Sequence, residues 1–292
     1  AFYTGEIAVA IEEDMKRNGG LITRDDLASY QAVARPPRSI RYRDYEVLAP
    51  DIHHGGTTLL QTLNVLKHFN LRAAKHNSAE YLHLFIEAAR HAFADRYSYL
   101  GDSEYVSVPI DGILSDGYAK SLASLIDSKK AMLEYPRDTE PWVYYSSQAI
   151  HDPWKYDSQP RPKDDIQISQ PPYITNNDCT THFGVVDKDR NLVSCTQTAV
   201  GAFGSKVVTP GLGVLWNNGM VWLNPKSGAA NSIQPWKRPL TNMAPILALK
   251  NGKPAMSIGS PGGRYIMNCN TQVFLNVADF DMGIQQSIAQ PR

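Results

Sequence analysis

The chain has 292 residues, 42% of them hydrophobic and 20% charged, and its 29 basic and 29 acidic residues cancel. This composition is typical of a globular protein rather than a disordered or fibrous one. Zero net charge argues against nucleic acid or an anionic membrane surface as a partner of the whole chain, and no apolar run reaches the ~18 residues of a membrane span. Because the chain begins with Ala1 and lacks a signal-peptide pattern, we expect a processed piece or a fragment.

Charge divides the sequence into two parts of opposite sign. Residues 180–292 carry 10 Lys/Arg, 4 Asp and no Glu, a net charge of +6, which leaves −6 on residues 1–179. Opposite signs favour docking of the two parts onto each other over binding of an outside polyanion. The cysteines, Cys179, Cys195 and Cys269, are too few and too irregularly spaced for a disulfide framework or a CxxC metal site.

The first 130 residues carry apolar residues at helical spacing, which predicts helices with turns between them. Gly19-Gly20 predicts the end of the first helix, and Thr23 with Asp26 predicts a cap for the second. Asn77 with Glu80 predicts the capped start of a long helix. We interpret the apolar stripes as core. They are Ile7, Ile11 and Met15; Leu59, Leu60, Leu63, Leu66 and Phe69; Leu82, Phe85, Ile86, Ala89 and Phe93; and, after Ser115, Tyr118, Leu122 and Ile126.

The stretch 134–179 contains seven of the 19 prolines, which argues against regular helix or central strand. It is also too aromatic for a free linker. We therefore expect an arm that packs along a surface. Its aromatic residues include Trp142, Tyr144, Tyr145, Trp154 and Tyr156.

The second part of the chain changes to a period of two, which indicates strands. HFGVVD (182–187) and LVSCTQT (192–198) predict one β-hairpin. PILAL (245–249) and PAMSIG (254–259), joined by a turn with Asn251-Gly252, predict another. Helices followed by strands favour a layered α+β fold.

The common signatures of nucleotide, metal and serine-hydrolase sites, GxxxxGK[ST], GxGxxG, HExxH and GxSxG, do not occur. The adjacent pair His53-His54 is interpreted as a loop feature, because it has no acidic or cysteine partners at metal-ligand spacing. Cys179 has no histidine placed by sequence to activate it as a nucleophile. We expect no metal site and no cofactor.

The most informative stretch is DCTTH (178–182), which lies where the proline-rich arm ends and the first predicted strand begins. By itself this stretch predicts only the start of a strand, because threonine favours strands. Together with other segments, in the same order, it resembles the γ-glutamyltranspeptidase family of N-terminal-nucleophile hydrolases. These segments are FYTGEIA (2–8), GGLIT (19–23), DDLASY (25–30), AFADRYSYLGD (92–102), TTHFGVVDKDRNLVSCTQT (180–198), FGS (203–205), NNGM (217–220), KRPL (237–240) and GSPGG (259–263).

The resemblance implies an α+β fold of the N-terminal-nucleophile hydrolase type, a four-layer αββα sandwich with two central antiparallel sheets. Residues 1–179 correspond to the family's large subunit and end in the proline-rich arm, and residues 180–292 correspond to its small subunit. The two parts are expected to pair with each other after cleavage. The family's N-terminal segment, with an arginine that binds the substrate carboxylate, and the end of its small subunit are missing here. Family members are commonly periplasmic or extracellular.

The resemblance also implies a mechanism. Thr180 matches the family's nucleophile, whose hydroxyl attacks the carbonyl of the preceding residue, here Cys179, so that the chain is cleaved between them. The α-amino group thus freed has a pKa of about 7.7–8.0 and can act as the general base for its own hydroxyl. Thr198 matches a threonine that hydrogen-bonds the nucleophile. Gly262 and Gly263 match the pair whose N–H groups hold the oxyanion.

The residues at the family's substrate-binding positions differ from those that the family carries there. Thr241 and Asn242 replace a serine pair that contacts the substrate carboxylate. Val200 replaces an asparagine, Gly219 a polar residue, and Trp222 the aspartate that pairs with the glutamyl ammonium. The resemblance therefore implies a self-cleaving amidohydrolase or acyltransferase for a small-molecule amide, with γ-glutamyl compounds such as glutathione as one substrate class. An acylase-like enzyme for another acyl group and an inert binding relative are the alternatives.

Overall fold

The computed structural model describes residues 1–131, 151–163 and 178–292, with the Asp178 side chain excluded. The predicted arm residues Trp142, Tyr144 and Tyr145 lie outside this part. The helices are α1 (Glu6–Asn18), α2 (Arg24–Ser29), α3 (Gly56–Leu66), α4 (Ala79–Tyr99), α5 (Ile110–Ile113), α6 (Asp116–Ala123), α7 (Tyr265–Ala278) and α8 (Ile284–Ala289). The strands are β1 (Arg38–Tyr42), β2 (Tyr45–Ala49), β3 (Asp178–Val186), β4 (Leu192–Gly201), β5 (Val208–Thr209), β6 (Val214–Leu215), β7 (Ile246–Lys250) and β8 (Lys253–Ile258).

The helix ends largely follow the local signals in the sequence. α1 ends at Gly19, which adopts the left-handed conformation with φ 73°, and Thr23 forms a complete capping box with Asp26 at the start of α2. The predicted cap of α4 was wrong by one residue. Ser78, not Asn77, is the N-cap, and its hydroxyl accepts a hydrogen bond from the N–H of Tyr81.

The prediction of helices alone for the first 130 residues is wrong between residues 38 and 49. There β1 and β2 form an antiparallel hairpin, with Ile40 opposite Val47 and Tyr42 opposite Tyr45. The inward side chains of both strands alternate with more exposed ones, a period-two pattern. Each strand has only five residues, so the pattern is too short to stand out between longer helical stripes.

A four-stranded sheet in the order β1-β2-β7-β8 joins the two parts of the chain. β2 pairs antiparallel with β7, with Val47 opposite Ala248 and Tyr45 opposite Lys250. Each part therefore contributes one hairpin to a shared sheet. Backbone hydrogen bonds between β2 and β7 would still hold the two parts together if the chain were cut before Thr180.

The main core lies between this sheet and the helices α3, α4 and α7. α3 lies at the centre of this layer, and all of its residues are buried. On the other side, the β3–β4 hairpin packs against β8: the Ser194 hydroxyl lies 3.3 Å from the Ile258 carbonyl oxygen, and the Ser257 hydroxyl lies 3.2 Å from the Val193 carbonyl oxygen. The layers are thus helices, sheet and hairpin.

The described part of the predicted arm, residues 151–163, packs against α4. His151 is 3% exposed, and its Nδ1 lies 2.9 Å from Asp95 Oδ1. Trp154 is buried as well. Within the described residues, none of the helices combines the length and apolar character needed to cross a lipid bilayer.

Candidate active site

The β3–β4 hairpin brings Thr180 and Thr198 together. The two residues are paired in register, and the register shifts between Cys179 and Thr180, where Cys179 pairs with Val200. Ala199 is thus the extra residue of a β-bulge on β4. A bulge bends its strand and re-aims side chains, and here it lies directly beside the Cys179–Thr180 bond.

A chain of hydrogen bonds connects the two threonines to the carbonyl before Thr180. The Thr180 hydroxyl donates to Thr198 Oγ1 at 3.1 Å, and the Thr198 hydroxyl donates to the Cys179 carbonyl oxygen at 3.0 Å. The N–H of Val200 donates to Thr198 Oγ1 at 2.8 Å. This arrangement orients the Thr180 oxygen and polarises the carbonyl group beside it, two requirements for attack of one on the other.

Val200 holds an unusual backbone conformation at this point. Its φ is 77°, which is a genuine outlier for a β-branched residue. The side chain is only 3% exposed, and the bond from its N–H to Thr198 fixes the backbone. The asparagine that the resemblance implies at this position tolerates such a φ better than valine does. Burial and the hydrogen bond therefore hold a strained residue that orients Thr198.

The GSPGG loop leaves β8 close to β3, the strand that carries Thr180. Two contacts place the end of β8 against β3. Ser257 lies beside Gly184, and Gly259 lies against the ring of His182, which is two residues from Thr180. Gly262 and Gly263 have φ of 127° and 55°, a region that strongly favours glycine. Within the described part of the chain, neither N–H donates a hydrogen bond. Their role as oxyanion donors stays a prediction that this approach supports.

The segment that carries Gly219 and Trp222 is attached to the end of β4. Asn218 donates its N–H to the Ala199 carbonyl at 3.2 Å, and its Oδ1 accepts from the N–H of Gly201 at 2.8 Å. A 3₁₀ turn, Gly219–Trp222, follows. Trp222 is 8% exposed, and within the described residues its indole N–H has no hydrogen-bond partner. A role for both residues in binding substrate stays a prediction.

Thr241 and Asn242 are held by residues that the sequence did not single out for this purpose. Thr241 Oγ1 lies 2.9 Å from His54 Nδ1. Arg96, which is 1% exposed, donates to the Thr241 carbonyl at 2.7 Å and to Asn242 Oδ1 at 3.2 Å. Thr241 also lines a cleft of about 800 Å³. These contacts position the hydroxyl at a surface that a small molecule can reach; whether it binds substrate there stays a prediction.

The surroundings of His54 predict a pH-dependent stability. Burial, together with His53 and Arg96, lowers the pKa of His54 to about 4. The folded state therefore keeps the ring neutral, whereas the unfolded chain takes up a proton below about pH 6.5. The neutral ring therefore contributes to the free energy of unfolding, and this contribution is fully present above about pH 6.5. As the pH falls from 6.5 to 4 the contribution is lost, which lowers the free energy of unfolding by about 3 kcal/mol in all.

The measurement is the free energy of unfolding in urea at several pH values, for the native protein and for His54→Asn. We expect the native protein to lose about 3 kcal/mol more than the variant on going from pH 7 to pH 4. His53 and His91 also have lowered pKa values because of burial, so the difference between the two proteins isolates His54. The same dependence of the free energy of unfolding on pH in the two proteins would contradict the prediction.

Comparison with known proteins decides the family. A profile of the γ-glutamyltranspeptidase family matches residues 1–292. The chain belongs to this family. The chain is 36% identical to the glutathione hydrolase proenzyme of Escherichia coli K12 and 34% identical to that of Bacillus subtilis 168, with 100% of the chain and 47% of each relative covered. It therefore spans about half the length of these relatives.

Two proteins named as acylases are also similar to the chain. The acylase ACY 1 proenzyme of a Pseudomonas strain, SE83, is 33% identical over 100% of the chain and 46% of its own length. The crystal structure of cephalosporin acylase from Bacillus halodurans matches with a TM-score of 0.80 and 27% identity, over 100% of this chain and 46% of that one. The predicted α+β fold of the N-terminal-nucleophile hydrolase type is thereby confirmed, and the described residues supply one helical layer, the four-stranded sheet and the β3–β4 hairpin of the αββα sandwich.

Proposed function

We propose that the protein containing this chain is a self-cleaving amidohydrolase or acyltransferase that uses Thr180 to cleave γ-glutamyl or related amide bonds. One observation carries the proposal: the hydrogen-bonded chain from Thr180 through Thr198 to the Cys179 carbonyl oxygen. A half-buried threonine pair with a purely structural role does not require a hydroxyl that donates to the carbonyl before Thr180, whereas attack of Thr180 on that carbonyl does.

The arrangement supports the following steps. The Thr180 oxygen adds to the Cys179 carbonyl carbon, and the peptide nitrogen leaves as the new α-amino group of Thr180 after gaining a proton. Water then hydrolyses the resulting ester, which restores the hydroxyl and leaves Cys179 with a free carboxylate. In the mature enzyme the α-amino group accepts the hydroxyl proton when Thr180 attacks a substrate amide.

The two products would remain one molecule. Cleavage before Thr180 separates residues 1–179 from residues 180–292, but β2 and β7 pair across the two. Arg96 of the first part also donates to Thr241 and Asn242 of the second. The pairing of the two parts is supported by these contacts and by their opposite net charges.

A second candidate is an acylase for an acyl group other than γ-glutamyl. Trp222 favours it, because an indole cannot neutralise a substrate ammonium as a carboxylate does. The matches to relatives named acylases are in keeping with it. Both candidates use the same nucleophile and differ in the acyl group.

The test uses the full-length protein. We expect a denaturing gel to show two fragments, and we expect release of aniline from either γ-glutamyl or simple acyl anilides without added metal or cofactor. A protein that remains one band and releases nothing from either set would contradict the proposal and favour an inert binding relative.

Substitution of Thr198 tests the hydrogen-bonded chain directly. In Thr198→Val, Thr180 and the carbonyl oxygen of Cys179 both lose their partner, with little change in side-chain volume. We expect cleavage to slow about 100-fold, the usual loss for one donor at a reacting carbonyl. The half-time of cleavage on a gel measures this. Thr198→Ser, which keeps the hydroxyl, is the matched control, and equal rates for the two variants would contradict the assignment.

A further inference from the structure

His182 lies on the same face of β3 as Thr180, because alternate residues of a strand point the same way. Its Nδ1 lies 3.0 Å from the Thr196 hydroxyl oxygen, and Thr196 is the residue paired with it on β4. The half-buried ring is thereby fixed to the hairpin. It lies on the side of the hairpin that meets the end of β8.

The ring of His182 occupies the space in which a side chain at residue 259 would begin. A Cβ placed on Gly259 would lie 2.1 Å from His182 Nδ1 and 2.2 Å from its Cε1. Ordinary contact needs about 3.5 Å, and the imidazole is rigid. The backbone of the first residue of the GSPGG loop therefore rests directly on the ring, which explains why residue 259 is a glycine.

We propose that His182 is a positioning residue, whose ring sets the distance between the strand that carries Thr180 and the loop that carries Gly262 and Gly263. The inference rests on the proposed function, because it assigns the ring a role in aligning the nucleophile with the oxyanion donors. Such donors must lie about 3 Å from the position that the oxyanion will occupy. A ring inserted between the two elements fixes that spacing more firmly than a loop could by itself.

The ring acts through its volume rather than its charge. Burial lowers the pKa of His182, so the imidazole is neutral at pH 7. Nδ1 is engaged with Thr196. The pH dependence of kcat should therefore keep its shape when the ring is replaced by another ring.

Two substitutions separate ring volume from hydrogen bonding. His182→Asn can keep a polar contact to Thr196 but removes most of the ring, whereas His182→Phe keeps a ring and removes the polar contact. Counted per cleaved molecule of the full-length protein, we expect kcat to fall about 100-fold in His182→Asn with KM little changed. We expect at least a 10-fold smaller loss in His182→Phe. The reverse order, equal losses or a loss confined to KM would overturn the proposal.

Gly259 supplies an independent test. Gly259→Ala pushes the loop off the ring, and we expect a fall in kcat of about 100-fold. Because both substitutions disrupt the same contact between ring and loop, adding His182→Ala to that variant should lower kcat by less than a further 10-fold. A double variant whose loss equals the product of the separate Gly259→Ala and His182→Ala losses would overturn the proposal, because it would show that the ring and the loop act separately.

The outcomes distinguish this inference from the proposed function. A native protein that cleaves itself and turns over anilides, but in which the two losses of kcat multiply in the double variant, leaves the proposed function standing and overturns the role of His182. A native protein without cleavage or turnover overturns both. If the two losses of folding stability are non-additive but the two losses of kcat multiply, the ring and the loop are in contact without a role in alignment, and this outcome would also count against the positioning role.

Discussion

Replacing Thr180 with alanine is expected to leave the full-length protein as a single uncleaved chain. The hydroxyl removed belongs to the hydrogen-bonded chain that leads to the Cys179 carbonyl, and it is the group that adds to the carbonyl carbon in the proposed mechanism. The fold should persist, because Thr180 contributes only a half-buried side chain to the hairpin. The loss of cleavage should therefore be complete while the melting temperature changes by only a few degrees.

The neighbouring residue provides a matched control. Thr181 is exposed on the opposite face of β3, so Thr181→Ala should cleave at the native rate, and Thr180→Ser should still cleave, because it keeps a hydroxyl. Intact mass and N-terminal sequencing identify the bond, and the smaller native fragment should begin at Thr180. Cleavage at this bond in Thr180→Ala would refute the assignment of the nucleophile.

Trp222→Asp is expected to shift substrate preference toward γ-glutamyl compounds. The resemblance places Trp222 where family members carry the aspartate that pairs with the substrate ammonium. Without that carboxylate, an ammonium entering the pocket is desolvated and unpaired, which costs more than a missing contact. A buried partner of opposite charge contributes about 3 kcal/mol, so the ratio of kcat/KM for γ-glutamyl over simple acyl anilides should rise about 100-fold.

The comparison with Trp222→Asn isolates the charge. Both substitutions remove the buried indole and leave a side chain of the same size, so their effects on folding largely cancel in the ratio. The native protein should prefer the acyl group without an α-amino charge. A clear native preference for γ-glutamyl would show that another carboxylate replaces the missing aspartate. The same selectivity in Trp222→Asp and Trp222→Asn would place Trp222 outside the acyl pocket.

The two hairpins of the second part of the chain were predictable because strand periodicity is a local signal. Phe183 and Val185 alternate with His182 and Gly184 along β3, and the turn at Asn251-Gly252 joins β7 to β8. The capping box at Thr23 depends on residues only three positions apart, and it too was predicted correctly. The hairpin β1–β2 was missed because each strand is short, and its place is decided by pairing with β7.

By itself the sequence determined the family, several helix ends, the two hairpins of the second part and the threonine pair, because these are carried by motifs and by periodicities that neighbouring residues create. Only the tertiary structure shows how the pair is hydrogen-bonded. The bulge at Ala199 and the strained Val200 direct the Thr198 hydroxyl to the Cys179 carbonyl. A register shift of one residue leaves no signal in the hydrophobic periodicity of the sequence. Likewise, His54 meets Thr241 across 187 positions of sequence. Such contacts depend on how a shared sheet brings distant segments together, and local patterns do not contain that information.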